Sequence, residues 1–258
     1  MGNIETLEYK LNTGAFGKRL KFAVVCDLHS RENSNVDAVT EILKNESPDY
    51  ILMPGDIFER LDGSDRAHKR AGFELLRRAS EIAPVFYSVG NHENGGVSSW
   101  NVIKWMRIEC IPKYFDPNEL DEIWDTGATF LDDGFVIEDG IAFGGLSSGL
   151  INKGRQPQLD WLDEFCSLDC PKVLLCHHPE YYKQYLKGRN IDLIVSGHAH
   201  GGQWRVFGRG VFAPGQGIFP KYTSGIHDSR FVISKGLKKG GRIPRIFNRP
   251  DVTVISVN

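Results

Sequence analysis

The amino-acid sequence predicts an α/β protein with an open β-sheet architecture. Three apolar runs, each with the composition of a buried strand, lead into polar loops, and residues with helical spacing follow. The chain has 258 residues, of which 41% are hydrophobic, enough for one large core. Because the loops follow the strands, their polar side chains should gather at the carboxyl edge of the sheet. We therefore expect residues 1–258 to form a single domain with a site at that edge.

The composition weighs against several classes of protein. The 31 basic and 33 acidic residues nearly cancel, so no whole-molecule charge favours a stable complex with nucleic acid. The five cysteines are an odd number and include no CxxC pair. In a chain without a signal peptide, this predicts reduced thiols and a cytoplasmic location. No apolar run approaches the ~18 residues of a membrane span.

The predicted elements follow from apolar periodicity and from the turn residues that separate them. Strands are predicted at residues 7–11, 20–25, 50–53, 85–89, 172–176, 191–195, 203–207, 211–212, 231–234 and 252–257. Helices are predicted at residues 35–44, 66–82 and 158–165. Within the less regular segment 95–127, a further helix packed on the sheet is indicated by Trp100, Trp105 and Met106. Residues 129–131, 135–138 and 141–144 are expected to form an antiparallel meander.

Asp27 and His29 stand at the end of the first core strand. Side chains alternate along a strand, so these two should share one face, where both could bind a divalent cation. Cys26 should lie on the opposite face, as should Cys176 after a later strand, and both are expected to be buried structural thiols. Alternatively, Asp27 caps the following helix, which leaves His29 unexplained.

The ends of the other predicted strands carry similar polar residues. These are Asp56, then Asn91 and His92, then His177, and finally His198 and His200. Strand geometry would let only one of the adjacent His177 and His178 face the site. Taken alone, the last two histidines could equally be unliganded residues of a glycine-rich loop, because short motifs often match by chance.

Together these residue types indicate two divalent cations. Carboxylate, amide oxygen and imidazole ligands without a thiolate suit Mn, Fe, Zn or Co. A carboxylate can bridge two ions, and Asp56 lies between the two halves of the set in chain order. Two divalent ions and two aspartates leave a net charge of about +2, which would bind phosphate and turn a bridging water into hydroxide. Two ions about 3.5–4 Å apart can hold both a phosphoryl oxygen and the attacking oxygen.

The ordered motifs resemble those of the calcineurin-like metallophosphoesterase superfamily. They are Asp27-Leu28-His29, Gly55-Asp56, Gly90-Asn91-His92-Glu93, His177-His178-Pro179 and Gly197-His198-Ala199-His200. The resemblance implies a four-layer α-β-β-α sandwich with two mixed β-sheets. It implies two ions, with manganese favoured, the first held by Asp27, His29, Asp56 and His200. The second would be held by Asp56, Asn91, His177 and His198. His92 resembles the phosphate-contacting or general-acid histidine of the family.

Additional motifs indicate a more specific activity. The stretch GHAHGGQ, the loop around Tyr222 and the residues Ser234-Lys235-Gly236-Leu237 are similar to a bacterial branch that includes lipid-A-precursor pyrophosphatases. Members of that branch often carry an N-terminal membrane anchor, and no such anchor is expected in this chain. We expect hydrolysis of phosphodiester or pyrophosphate bonds in a phosphorylated small molecule or lipid, through a metal-bridging hydroxide. The alternatives are a phosphomonoesterase or protein phosphatase, a nuclease, and a metal-bound scaffold without activity.

A basic stretch near the C-terminus bears on the partners of the protein. It contains Lys235, Lys238, Lys239, Arg242, Arg245 and Arg249. Such a run is usually a solvated face of the protein. If it lies near the site, it would attract an anionic substrate or make a peripheral contact with a lipid surface.

Overall fold

Two six-stranded mixed sheets form the centre of the molecule. The structure is a computed structural model that describes residues 4–30, 35–59, 66–93, 115, 117–148, 157–213, 216–238 and 244–258.

The first sheet contains the strands that lead into three of the predicted motifs. In spatial order its strands are β1 (Glu5–Leu11), β16 (Asp251–Val257), β2 (Leu20–Val24), β3 (Tyr50–Pro54), β4 (Val85–Ser88) and β5 (Thr129–Leu131). Strands β2 to β5 are parallel to one another, whereas β16 runs antiparallel to β2. The parallel strands therefore end at one edge, as the repeated pattern of strand and polar loop predicts.

The second sheet supplies the strands before the remaining two motifs. In spatial order its strands are β14 (Gly225–His227), β15 (Phe231–Ile233), β9 (Leu193–Ser196), β8 (Lys172–Cys176), β7 (Ile141–Leu146) and β6 (Gly134–Glu138). The two outer pairs are antiparallel and the inner pairs are parallel. Two small ribbons follow β9, formed by β10 (Arg205–Val206) with β11 (Arg209–Gly210) and by β12 (Phe212–Ala213) with β13 (Gly217–Ile218).

Helices cover the outer faces of both sheets. They are α1 (Val36–Glu46), α2 (Arg66–Ser80), α3 (Pro117–Asp125) and α4 (Asp160–Ser167), together with a π-helical turn at Tyr182–Leu186. One apolar cluster packs α1 to α3 on the first sheet, a second lies between the sheets, and a third packs α4 and the π-helical turn on the second sheet. The predicted four-layer α-β-β-α sandwich is therefore confirmed.

The predicted antiparallel meander is wrong in one strand. Residues 129–131 form β5, which pairs in parallel with β4 of the first sheet, and only β6 and β7 form an antiparallel hairpin in the second sheet. The chain changes sheets at Asp132 and Asp133, whose carboxylates accept hydrogen bonds from Ser147 Oγ and Ser147 N. These bonds join the crossover to the end of β7, a long-range contact that turn signals in the sequence do not reveal.

Other expectations concern single residues and segments. Cys26 and Cys176 are buried free thiols, as expected. The helix predicted from Trp100, Trp105 and Met106 lies outside the described residues, although α3 forms later in the same segment. Within the described ranges, no helix combines the length and the apolar character needed to cross a bilayer.

Stacked aromatic rings join the two sheets and allow a test of this packing. Phe86 of β4 and Phe143 of β7 are fully buried, with ring centroids 3.7 Å apart and ring planes inclined at 8°.

We expect Phe143→Ala to lower the free energy of unfolding by about 3–5 kcal/mol, because it removes a buried ring and leaves a cavity. Urea denaturation would measure this. Ile137→Ala, at a side chain 56% exposed in β6, is the control and should change stability by less than about 0.5 kcal/mol. Equal effects of the two substitutions would contradict the packing described.

Candidate metal centre

All eight predicted site residues lie just beyond the carboxyl ends of five strands. Asp27 and His29 follow β2, Asp56 follows β3, and Asn91 and His92 follow β4. In the second sheet, the residue after β8 is His177, and those after β9 include His198 and His200. The site therefore draws on both sheets of the sandwich.

Seven of these residues form three overlapping groups whose ligand atoms lie within 4.8 Å of one another. The groups are Asp27 with His29 and His200, Asp56 with His177 and His198, and His29 with Asp56 and His92. The eighth residue, Asn91, precedes His92, whose backbone N–H donates to Asp56 Oδ1 at 2.9 Å. Asp56 and His29 each belong to two groups, so the donors form one continuous centre.

The loops position these side chains through left-handed backbone conformations. Asp27, His29, Asp56, His198 and His200 all have positive φ, between 46° and 65°. Such angles are uncommon outside glycine and cluster at functional sites. Strand alternation therefore does not bring Asp27 and His29 together, because β2 ends at Val24 and both residues lie in the loop beyond it. The predicted proximity is found, but its cause is this loop geometry.

Close backbone approach around the two aspartates requires glycine. A Cβ at Gly90 would lie 2.2 Å from Asp56 Oδ1, and a Cβ at Gly236 would lie 2.3 Å from Asp27 Oδ2. Both distances are far below van der Waals contact. The carboxylates thus occupy space that any other residue would fill.

Hydrogen bonds orient two of the imidazole rings. His29 Nδ1 lies 2.9 Å from Glu59 Oε2, and His177 Nδ1 lies 2.7 Å from the carbonyl oxygen of Pro54. Each acceptor favours a proton on Nδ1, which directs the lone pair of Nε2 toward the centre. The Nε2 atoms lie 3.6 Å and 3.2 Å from Asp56 Oδ2.

The donor atoms of this centre fit divalent cations. Four of the predicted metal ligands have a buried donor atom that makes no hydrogen bond in the described part of the chain: Nε2 of His29, His177 and His198, and Oδ1 of Asn91. Burying a polar atom without a hydrogen bond is unfavourable by roughly 1–3 kcal/mol. Four such atoms close together therefore indicate a binding site for cations. Imidazole nitrogen and amide oxygen are donors that borderline divalent metals accept.

The electrostatics of the centre favour neutral imidazole rings at His29 and His200, beside Asp27, and a protonated ring at His177, beside Asp56. Burial lowers the pKa of His29 to about 3 and holds the pKa of His200 well below its usual value. Burial also lowers the pKa of His177, but the neighbouring Asp56 carboxylate outweighs it and raises this pKa to about 10. Neutral imidazole keeps a lone pair for a cation, and a cation at Asp56 would displace the proton from His177.

Sequence reasoning missed Glu59, which supports two of the histidines. Its carboxylate is buried and lies 2.9 Å from His29 Nδ1 and 3.0 Å from His92 Nδ1. One side chain therefore orients both rings. The only signal in the sequence is its position three residues after Asp56 in the same loop.

Glu93 is a second buried carboxylate whose role the sequence did not reveal. It accepts hydrogen bonds from the backbone N–H groups of Asp56, Phe58 and Gly90 and from the hydroxyl of Tyr87. Burial, reinforced by the Asp56 carboxylate, raises the pKa of Glu93 to about 7. Glu93 ties the loop after β3 to the loop after β4.

Both adjacent histidines after β8 approach His198, contrary to the expectation that only one would face the site. The ring centroid of His178 lies 4.2 Å from that of His198, and the ring of His177 lies 5.1 Å away. Strand alternation ends with β8 at Cys176, so it no longer separates the two side chains. His178 and Glu180 form a further group of potential ligands with His198.

Two members of the basic stretch, Lys238 and Arg245, turn toward the centre and a third, Lys235, is buried, so these three do not form a solvated face. Lys238 Nζ lies 3.4 Å from His29 Nδ1, and Arg245 Nη2 lies 3.3 Å from His200 Nδ1. Lys235 is buried and lies 3.7 Å from the Asp251 carboxylate. Arg249 is exposed, and Lys239 and Arg242 lie outside the described residues.

The chain is similar to several known proteins. It is 27% identical over 245 residues to the transmembrane protein with metallophosphoesterase domain of Bos taurus, covering 91% of this chain and 52% of that protein. An uncharacterized metallophosphoesterase of Aquifex aeolicus is 25% identical, with 93% of this chain and 86% of that protein covered. The chain spans about half the length of the first curated relatives it matches, 52% and 46%.

Among solved structures, a dimetal phosphatase from Danio rerio has a TM-score of 0.49 and 13% identity, covering 84% of this chain and 88% of that chain. The stronger finding is a match of residues 20–202 to the family model of the calcineurin-like phosphoesterases. That match covers more than half of the chain and includes every residue of the candidate centre. The chain therefore belongs to the calcineurin-like phosphoesterase family.

Proposed function

We propose that this protein is a dinuclear metal-dependent hydrolase that cleaves a phosphodiester or pyrophosphate bond. The observation that carries the proposal is a pair of neighbouring donor groups, Asp27 with His29 and His200 and Asp56 with His177 and His198. The buried Nε2 atoms of His29, His177 and His198 make no hydrogen bond in the described residues. Family membership supports phosphoester hydrolysis in general. The bond type, the substrate and the metal belong to the proposal.

The donor groups suggest which residues would hold each ion. Asp27, His29, Asp56 and His200 would hold the first, and Asp56, Asn91, His177 and His198 would hold the second. When bound, two divalent cations would act as Lewis acids that withdraw charge from a phosphoryl group and make water more acidic. Mn²⁺ is the ion we favour among Mn, Fe, Zn and Co, all of which suit this ligand set.

In this proposal, His92 would assist departure of the leaving group. Its side chain is 19% exposed, whereas the rings of His29, His177 and His200 are 9% exposed or less. Burial lowers the pKa of His92, but the Asp56 and Glu59 carboxylates outweigh it and raise this pKa. A raised pKa keeps the imidazole protonated to higher pH, so Nε2 can donate a proton to the leaving oxygen.

The substrate we propose is a phosphorylated small molecule or a lipid. Lys238 and Arg245 add positive charge beside the Asp27 half of the centre, which would attract an anionic substrate. Likeness to the branch that includes lipid-A-precursor pyrophosphatases, a cytoplasmic location and a peripheral membrane contact through residues 235–249 stay predictions. A stable nucleic acid complex is not expected from the overall charge of −2.

The first test is the replacement of the shared carboxylate. We expect Asp56→Asn to abolish both metal retention and turnover, because Asp56 is proposed as a ligand of both ions. Chelator-stripped protein would be titrated with Mn²⁺, and bound metal and hydrolysis of bis-p-nitrophenyl phosphate would both be measured. Asp169→Asn, at an exposed position, is the matched control, and circular dichroism would verify folding. Full metal retention by Asp56→Asn would refute its bridging role.

Replacement of His92 should separate binding from chemistry. We expect His92→Ala to retain two equivalents of metal but to lose about 10²–10⁴-fold in rate, mainly toward esters with poor leaving groups. Diesters with p-nitrophenol and alkyl alcohol leaving groups would be compared at saturating Mn²⁺. If His92→Ala lost metal as well, the proposed division between ligands and proton donor would be wrong.

Glu59 should influence metal affinity without contacting the metal. Glu59→Gln removes the charge that orients His29 Nδ1–H, and we expect about 10–100-fold weaker Mn²⁺ binding by calorimetry. Glu41→Gln, at an exposed side chain of α1, should bind Mn²⁺ like the unmodified protein. Unchanged affinity in Glu59→Gln would show that the ring of His29 is oriented by other contacts.

A further inference from the structure

A cluster of large apolar side chains lies exposed beside the metal centre. We call it the aromatic patch, and its members are Trp204, Val206, Phe207, Ile218, Phe219, Ile246 and Phe247. Phe207 is 100% exposed, Phe247 89%, Ile218 74% and Phe219 72%. Exposed apolar groups of this size usually mark an interaction surface, because leaving them in water is unfavourable.

Three phenylalanines at the tips of loops dominate the patch. Phe207, Phe219 and Phe247 have φ of 49°, 50° and 52°. No other phenylalanine in the described residues has a positive φ. Left-handed backbone is unfavourable for a bulky residue, and here it accompanies nearly complete exposure. Neither burial nor local geometry explains these rings, so a partner outside the chain is indicated.

The patch is continuous across three segments of the chain. Phe207 and Phe247 line one hollow together with Arg205. Phe219 lines a neighbouring hollow that shares Arg205 and Gly208 with the first. The segments are joined by backbone hydrogen bonds, including Arg205 N to the carbonyl oxygen of Ile246 at 3.0 Å.

The charge around the patch is positive. Arg205, Arg209 and Lys221 line the two hollows, and no acidic residue of the described chain lines either one. In sequence, residues 204–227, which contain most of the patch, include these three basic residues and no acidic residue. The near-neutral total charge conceals this imbalance. Apolar tips among basic residues are typical of a surface that inserts into an anionic lipid interface.

The same segments support the metal centre. Asn248, next to Phe247, donates to the carbonyl oxygens of His200 and Gln203 at 2.7 Å and 3.0 Å. Arg205 Nη1 donates to the carbonyl oxygen of Gly201 at 3.0 Å. A surface bound by the patch would therefore lie close to the loop that carries the last two candidate ligands.

We propose that the aromatic patch docks the protein on the interfacial region of an anionic lipid bilayer, which places the metal centre beside lipid headgroups. Aliphatic Val206, Ile218 and Ile246 favour a lipid interface over nucleic acid, because bases stack on aromatic rings and gain less from aliphatic ones. Lys235, Lys238 and Arg245 point into the molecule and contribute little to this surface.

The test is sedimentation of the 258-residue protein with vesicles, which requires no turnover. Failure of the docking proposal is therefore distinguishable from failure of the proposed hydrolase activity. We expect binding to vesicles of phosphatidylcholine with phosphatidylglycerol, weaker binding to pure phosphatidylcholine, and weakening by salt. The triple variant Phe207→Ser, Phe219→Ser, Phe247→Ser should bind about a hundredfold more weakly, since each phenylalanine contributes roughly tenfold or less.

A matched control is available elsewhere on the surface. Trp124 and Ile137 are 60% and 56% exposed, and the double variant Trp124→Ser, Ile137→Ser should bind vesicles like the unmodified protein. Equal hydrolysis of bis-p-nitrophenyl phosphate and an equal unfolding midpoint would establish that the triple variant is folded.

Four results would overturn the proposal. The first is no vesicle binding by the unmodified protein, and the second is full binding by the triple variant. The third is binding of a single-stranded oligonucleotide, and not of vesicles, through the three phenylalanines. The fourth is a protein that does not bind vesicles but forms a dimer, detected by light scattering, which the triple substitution dissociates.

Discussion

The buried carboxylate of Asp56 is the constraint on which the site depends. An ionised carboxylate in the interior is strongly unfavourable unless hydrogen bonds and opposite charges compensate it. The backbone N–H of His92 and the ring of His177 provide this compensation, and the missing Cβ of Gly90 leaves the room. Three loops, after β3, β4 and β8, are therefore held in one arrangement by a single side chain.

Two further carboxylates extend this control beyond the candidate ligands. Glu93 accepts hydrogen bonds from backbone N–H groups in the loops after β3 and β4. Glu59 orients the rings of both His29 and His92. Glu59 would thus orient both a proposed metal ligand, His29, and the proposed proton donor, His92. The positive φ angles of the surrounding loops persist because these buried hydrogen bonds hold them.

The C-terminal part of the chain connects the centre with the outer surface. Lys238 and Arg245 bring positive charge to the Asp27 half of the centre, and the following residues lead to the aromatic patch. Asn248 is bonded to the loop of His200 and is the neighbour of Phe247. The proposed docking surface and the proposed metal centre therefore rest on the same segments.

Local features of the sequence determined the α/β class, most strands and the eight residues that converge, because periodicity and motif order need no knowledge of distant contacts. Only the tertiary structure placed β5 in the first sheet, Glu59 against two histidines, and His178 beside His198. It also turned Lys235, Lys238 and Arg245 of the basic stretch inward. Each of these features arises from contacts between segments far apart in sequence or from left-handed loops, and neither leaves a periodic pattern in the chain.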